Sequence, residues 1–157
     1  MMNIASLTAK QFNEVYFGGN WTAVNLKETL ADTDWKLATT KVNSSNTIAA
    51  LVYHINYYVR AALNVLEGKP LDAKDEYSFN LPPVRSQEDW QALLDALYTD
   101  AEKFAALIRH LPDSRFSEIF AEEKYGHYYR NIHGIIEHTH YHLGQIVLIK
   151  KMLLESV

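Results

Sequence analysis

The strongest constraint on this chain is the length of its uninterrupted helical runs. Only six glycines and four prolines occur in 157 residues. They fall between long segments whose apolar residues recur every three or four positions, the spacing of one helical face. No segment reads convincingly as a strand. Long amphipathic helices with polar connections imply an all-α chain packed as a helical bundle. The length suits a single domain over residues 1–157, large enough to bury a sizeable core.

The first block starts near Ser6 or Thr8, either a plausible N-cap, and runs through Phe12, Val15 and Tyr16 to a break at Gly18-Gly19. A second piece covers about Thr22 to Leu30, ahead of Asp32-Thr33-Asp34-Trp35. The first block and this second piece are compatible with either one helix kinked at Gly18-Gly19 or two separate helices. The next block extends from about Asn46 to Glu67, follows the capping-rich Asn43-Ser44-Ser45-Asn46 and stops at Gly68-Lys69-Pro70. Leu71 to Arg85 is the longest non-helical connection, of the kind that carries function or crosses a bundle end. Ser86 caps the third main helix, with Glu88 and Asp89 in the first turn, and the helix continues to about His110. A loop from Asp113 to Tyr125 precedes a last helix running from Gly126 or Tyr128 to near Glu155. Two loops of more than about ten residues imply at least one crossover rather than simple up-down neighbours.

Composition excludes several function classes. A net charge of −4 and no basic run argue against nucleic acid as partner. The absence of cysteine removes disulfides, thiolate-bound zinc, iron–sulfur clusters and a thiol nucleophile, so any metal must sit on His, Asp, Glu or backbone oxygen. The N-terminal MMNIASLTAKQF lacks a signal-peptide layout, and no apolar stretch is long enough to span a membrane. A cytoplasmic protein with no membrane partner is the expectation.

The run Glu137-His138-Thr139-His140-Tyr141-His142-Leu143-Gly144-Gln145 holds three of the seven histidines. His138 and His142 are four residues apart, so their rings leave one side of a helix about 40° apart and can grip one metal ion. His140 points about 200° away from His138. The pair shares its stripe with Ile135, Ile149 and Leu153, with Gln145 and Gly134 close by, so it should face the bundle interior. Gly134 there allows either close helix approach or room for a ligand. His54 occupies a similar apolar stripe with Leu51, Tyr58, Ala61 and Val65. Three neutral imidazoles with open positions form the usual arrangement of a catalytic metal site. Spacing alone does not bring His54 to the pair, and a hydrogen-bonded core histidine is the bland alternative for it.

The other histidines carry less. His133 and His140 lie on the far side of the last helix beside Ile136, Leu143, Val147 and Leu154. That stripe either packs within the bundle or forms a subunit interface with the two histidines at its edge. His110 and His127 fall near helix ends. Glu137 precedes His138 but points about 100° away, a poor placement for a general base. Tyr58 is core bulk first, although it can line a pocket beside His54.

GIIEHTHYHLGQIVLIKK, together with His54 in LVYHINYYVR, resembles the DinB/YfiT-like superfamily. Asn20-Trp21, Phe79-Asn80-Leu81-Pro82-Pro83 and Ser86-Glu88-Asp89-Trp90 extend the likeness along most of the chain. The resemblance implies a four-helix bundle of up-up-down-down order with a long crossover. It implies a divalent ion, nickel or zinc, on His54, His138 and His142, and a homodimer. It also implies thiol-dependent transfer to small-molecule electrophiles, with a low-molecular-weight thiol as cosubstrate. A metal-dependent hydrolase is the close alternative. A non-catalytic dimeric helical module with a structural or vestigial metal is the distant one.

Overall fold

The computed structural model describes residues 3–155. Four long helices, α1 (Ile4–Phe17), α4 (Ile48–Leu66), α5 (Gln87–Arg109) and α6 (Tyr128–Glu155), build the bundle, and the short helices α2 (Leu26–Leu30) and α3 (Trp35–Thr39) lie between the first two. Short polar side chains start most of them. Asn3, Asn25, Asp34, Thr47 and Ser86 each accept a hydrogen bond from a backbone N–H of the first turn of α1, α2, α3, α4 and α5. The first helix therefore begins earlier than Ser6 or Thr8, because the Asn3 carboxamide takes the Ser6 N–H at 2.9 Å. The first block and the piece after Gly18-Gly19 are two separate helices, since α1 stops at Phe17 and Asn25 opens a fresh one at Leu26, and Asp34 opens a further one at Trp35. Gly18 and Gly19, both at positive φ, turn the chain out of α1. Among the described residues the isolated β-bridge is Ile119 with His127.

Cross-helix contacts set the directions. Phe12 meets Phe104 and Phe17 meets Tyr98, so α1 and α5 are antiparallel. Asn56 donates to Asp100, and further along Glu67 pairs with Lys103, so α4 and α5 are parallel. His54 meets His142 and Tyr58 meets His138, so α4 and α6 are antiparallel. The order is thus up-down-down-up, a correction to the expected up-up-down-down. The physical reason is the crossover, which joins α4 to α5. Residues 67–86 return along the bundle, stiffened by Pro70, Pro82 and Pro83, so α5 starts at the same end as α4. The long α1–α4 connection stays at one end and folds as α2 and α3.

Those short helices compensate for the shortness of α1. Its 14 residues span roughly 21 Å, against roughly 35 Å for the 23 of α5. Trp90 donates its indole N–H to the Thr33 carbonyl at 2.7 Å, the Trp35 backbone N–H donates to Gln87, and Lys150 donates to the Thr29 carbonyl at 2.6 Å. Phe12, Tyr16, Trp90, Phe104, Ile108 and Ile132 are fully buried at the centre. Ile136 and Leu143 also join this core, which favours intrabundle packing for their stripe, while His140 turns to Asn20 at 3.4 Å. No helix among the described residues is long and apolar enough to cross a membrane.

Candidate metal centre

Helices α4 and α6 run antiparallel with their apolar stripes facing, and this brings His54 level with His138 and His142. The Nε2 atoms of His54 and His142 each lie 3.1 Å from Nε2 of His138. All three ligand atoms fall within 4.8 Å of one another. His54 and His142 are each 7% exposed, and His138 is half-buried.

The other ring nitrogens fix the tautomers. His54 donates from Nδ1 to the Ser78 carbonyl at 3.3 Å, and His142 from Nδ1 to Gln145 Oε1 at 2.7 Å. Both partners can only accept, so the Nε2 of each ring carries a lone pair aimed at His138. The single proton that His138 Nε2 can carry points at one of these lone pairs and leaves the other without a donor, an unresolved conflict. A cation shared by the three nitrogens removes that conflict. Two of the three separations, at 3.1 Å, compare with about 3.3 Å between ligand nitrogens around a tetrahedral ion bonded at about 2.0–2.1 Å. The donor set therefore fits a divalent metal.

Electrostatics agree with the geometry. Burial, followed by the proximity of His142 and His54, pushes His138 down to about 4. Burial and then His142 lower His54 against the opposing pull of the Ser78 carbonyl, and burial lowers His142 against Gln145. All three rings stay neutral at pH 7, the form that ligates.

The crossover supplies surroundings that helix periodicity did not reveal. Phe79 stacks on His54 with ring centroids 3.9 Å apart and planes at 10°, and Ser78 lies buried behind the same ring. Asp75, in a 3-10 turn over Asp75–Tyr77, accepts from the Tyr58 hydroxyl at 2.8 Å. The Tyr58 ring meets His54 and His138 edge-on at 5.2 and 4.9 Å. The unusual length of the loop and the Phe79-Asn80-Leu81-Pro82-Pro83 run within it were the sequence signals for this role. Gln145, close to the histidine stripe in the sequence, proves to be the acceptor for His142. Glu137 is exposed, while His110 caps the end of α5 and His127 is exposed.

Gln145→Leu should weaken metal binding roughly 10–100-fold, the usual effect of removing the group that orients a ligating imidazole. Competition with a chromogenic chelator measures it. Unchanged affinity would mean that Gln145 does not hold His142 in place.

No curated protein and no solved structure matches this chain significantly. The sequence profile described as the DinB superfamily matches residues 3–146, a span that includes all three converging histidines. With a match over nearly its whole length, an all-helical bundle and a histidine triad capable of holding a metal, the chain belongs to the DinB superfamily.

Proposed function

We propose that this protein is a metal-dependent enzyme that transfers a small thiol to an electrophilic small molecule. The observation that carries this reading is the convergence of the three Nε2 atoms, with His138 in the wall of a cleft and no carboxylate in the cluster. Three neutral ligands leave a divalent ion its full charge. Nickel or zinc bound there would supply Lewis acidity, so that a thiol or a water brought to it gives up its proton near neutral pH.

The chain's own residues do the rest. His54, His138 and His142 hold the ion, while Ser78 and Gln145 orient the rings. Phe79 covers one face of His54 and excludes water from it. Tyr58, its hydroxyl tied to Asp75, walls the cleft beside His138. The chain has no cysteine, so the sulfur must arrive with a cosubstrate. In the net reaction the S–H bond and the carbon–leaving-group bond break, a carbon–sulfur bond forms, and the leaving group departs with its bonding electrons and takes up the proton. A cytoplasmic homodimer completes the reading. Tyr141 and Leu148, exposed on the outer face of α6, are compatible with a second copy.

The test is to load the protein with nickel or zinc and incubate it with a low-molecular-weight thiol and a fluorogenic electrophile. Adduct formation that needs metal and stops on chelation is expected. Ester or amide turnover without thiol would replace the transferase with a hydrolase. No turnover, combined with a sharp fall in melting temperature on chelation, would make the ion structural.

A further inference from the structure

We infer that the cleft beside His138 takes a small molecule with an anionic group at one end and an apolar body, the anion held by Arg130 with Lys124 and the reacting atom presented at the three histidines. This rests on the metal reading above and specifies what the site receives.

Two adjoining cavities form the cleft. One, of about 370 Å³, is lined by His138, Gly134, Arg130 and Lys124. The other, of about 320 Å³, is lined by Ala61, Ala62, Leu71, Phe120 and Asp75. Tyr58, Tyr125, Asn131 and Ile135 line both, so they share a wall. Each volume lies at the lower end of the roughly 300–1,000 Å³ usual for small-molecule sites.

Charge polarises this cleft. Among the described residues Arg130 makes no ion pair. Its Nη1 donates to the Tyr125 carbonyl at 3.4 Å, which leaves other guanidinium donors for a ligand. Lys124 is partly neutralised by Glu122 at 3.1 Å, so Arg130 is the principal anchor. The opposite cavity carries the Asp75 carboxylate, which turns an anion away from that end. An acidic ligand is thereby oriented with its charge at Arg130 and its apolar portion along Ala61, Ala62 and Phe120.

Helix α6 also sets a length. Arg130, Gly134 and His138 follow at four-residue steps along one side. Eight residues rise about 12 Å, so the anion and the reacting atom are separated by a distance on the order of 10 Å. Between them Gly134 keeps the floor open, since no atom lies within 4 Å of the position its Cβ would take.

Cobalt-loaded protein tests the inference, because a thiol joining the ion adds a charge-transfer band. The probes are mercaptoalkanoates from 3-mercaptopropionate to 8-mercaptooctanoate, with mercaptoalcohols of equal length as uncharged partners. The longer acids should bind roughly tenfold tighter than their alcohols, the scale of one charge-assisted contact. Arg130→Gln should abolish that difference, and Gly134→Leu should weaken both series, with cobalt content unchanged in each variant. Equal affinities for acid and alcohol in the wild type, or binding of neither, would overturn the inference while the metal site stood. If cobalt itself fails to bind, the metal reading falls. Calorimetry of the metal-free protein then judges the cleft alone: a preference for octanoate over octanol that depends on Arg130 upholds its anion site, and no preference overturns it.

Discussion

Protein carrying His138→Ala should hold close to no nickel or zinc under conditions where the wild type binds about one equivalent. His138 is the ring that touches both of the others, with Nε2 contacts of 3.1 Å to His54 and to His142. Removing it takes away one ligand in three and leaves a pair too sparse to compete with water. The loss should exceed the roughly 10–100-fold expected for an orienting partner such as Gln145. The fold should survive, because His138 is only half-buried, α6 is 28 residues long and alanine is the best helix former. Elemental analysis reads the metal and circular dichroism the helix. Glu137→Ala, one position away but exposed, should keep full metal content. Equal metal in wild type and His138→Ala would remove the site.

The largest stability effect is expected at Trp90. Its ring is completely buried and its indole N–H is bonded to the Thr33 carbonyl at 2.7 Å, which ties α5 to the segment between α2 and α3. Trp90→Ala should cost about 3–5 kcal/mol through the cavity it opens, a large share of the roughly 5–15 kcal/mol that holds a domain together. At about 2–4 °C per kcal/mol for a chain of this size, the melting temperature should fall by about 10 °C. Trp90→Phe separates the two contributions, since it keeps most of the volume while leaving the Thr33 carbonyl without its donor, and about 1–3 kcal/mol should go. Chemical denaturation with an unchanged m-value measures both variants. A loss below about 1 kcal/mol for Trp90→Ala would mean that Trp90 does not anchor the segment between α2 and α3 on the core.

The helices themselves were legible. Gly68-Lys69-Pro70 and Ser86 mark ends that the structure keeps, and the stripe arithmetic put His138, His142 and Gln145 on one face. Helix direction was not legible. A loop of given length can turn back at one end or run the length of the bundle, and only contacts such as Asn56 with Asp100 decide between them. The same limit hid the loop's chemistry. Ser78 offers a backbone carbonyl, which no side-chain pattern announces, and Phe79 reads as an ordinary aromatic until it is found stacked on His54. Asn3 was missed as the first cap because Ser6, the better-known capping residue, stood nearby and proved to be the donor. The meeting of His54 with the His138–His142 pair depended on the register between α4 and α6, and here the family likeness supplied what spacing alone did not.

One divalent ion should sit among the three imidazoles. X-ray absorption at the metal edge of zinc-loaded protein tests it most directly. Three histidine nitrogens are expected at about 2.0–2.1 Å, with the outer-ring scattering of imidazole and a remaining position filled by a light, exchangeable ligand. A shell made only of oxygen, or one unchanged by His54→Ala, would contradict that placement.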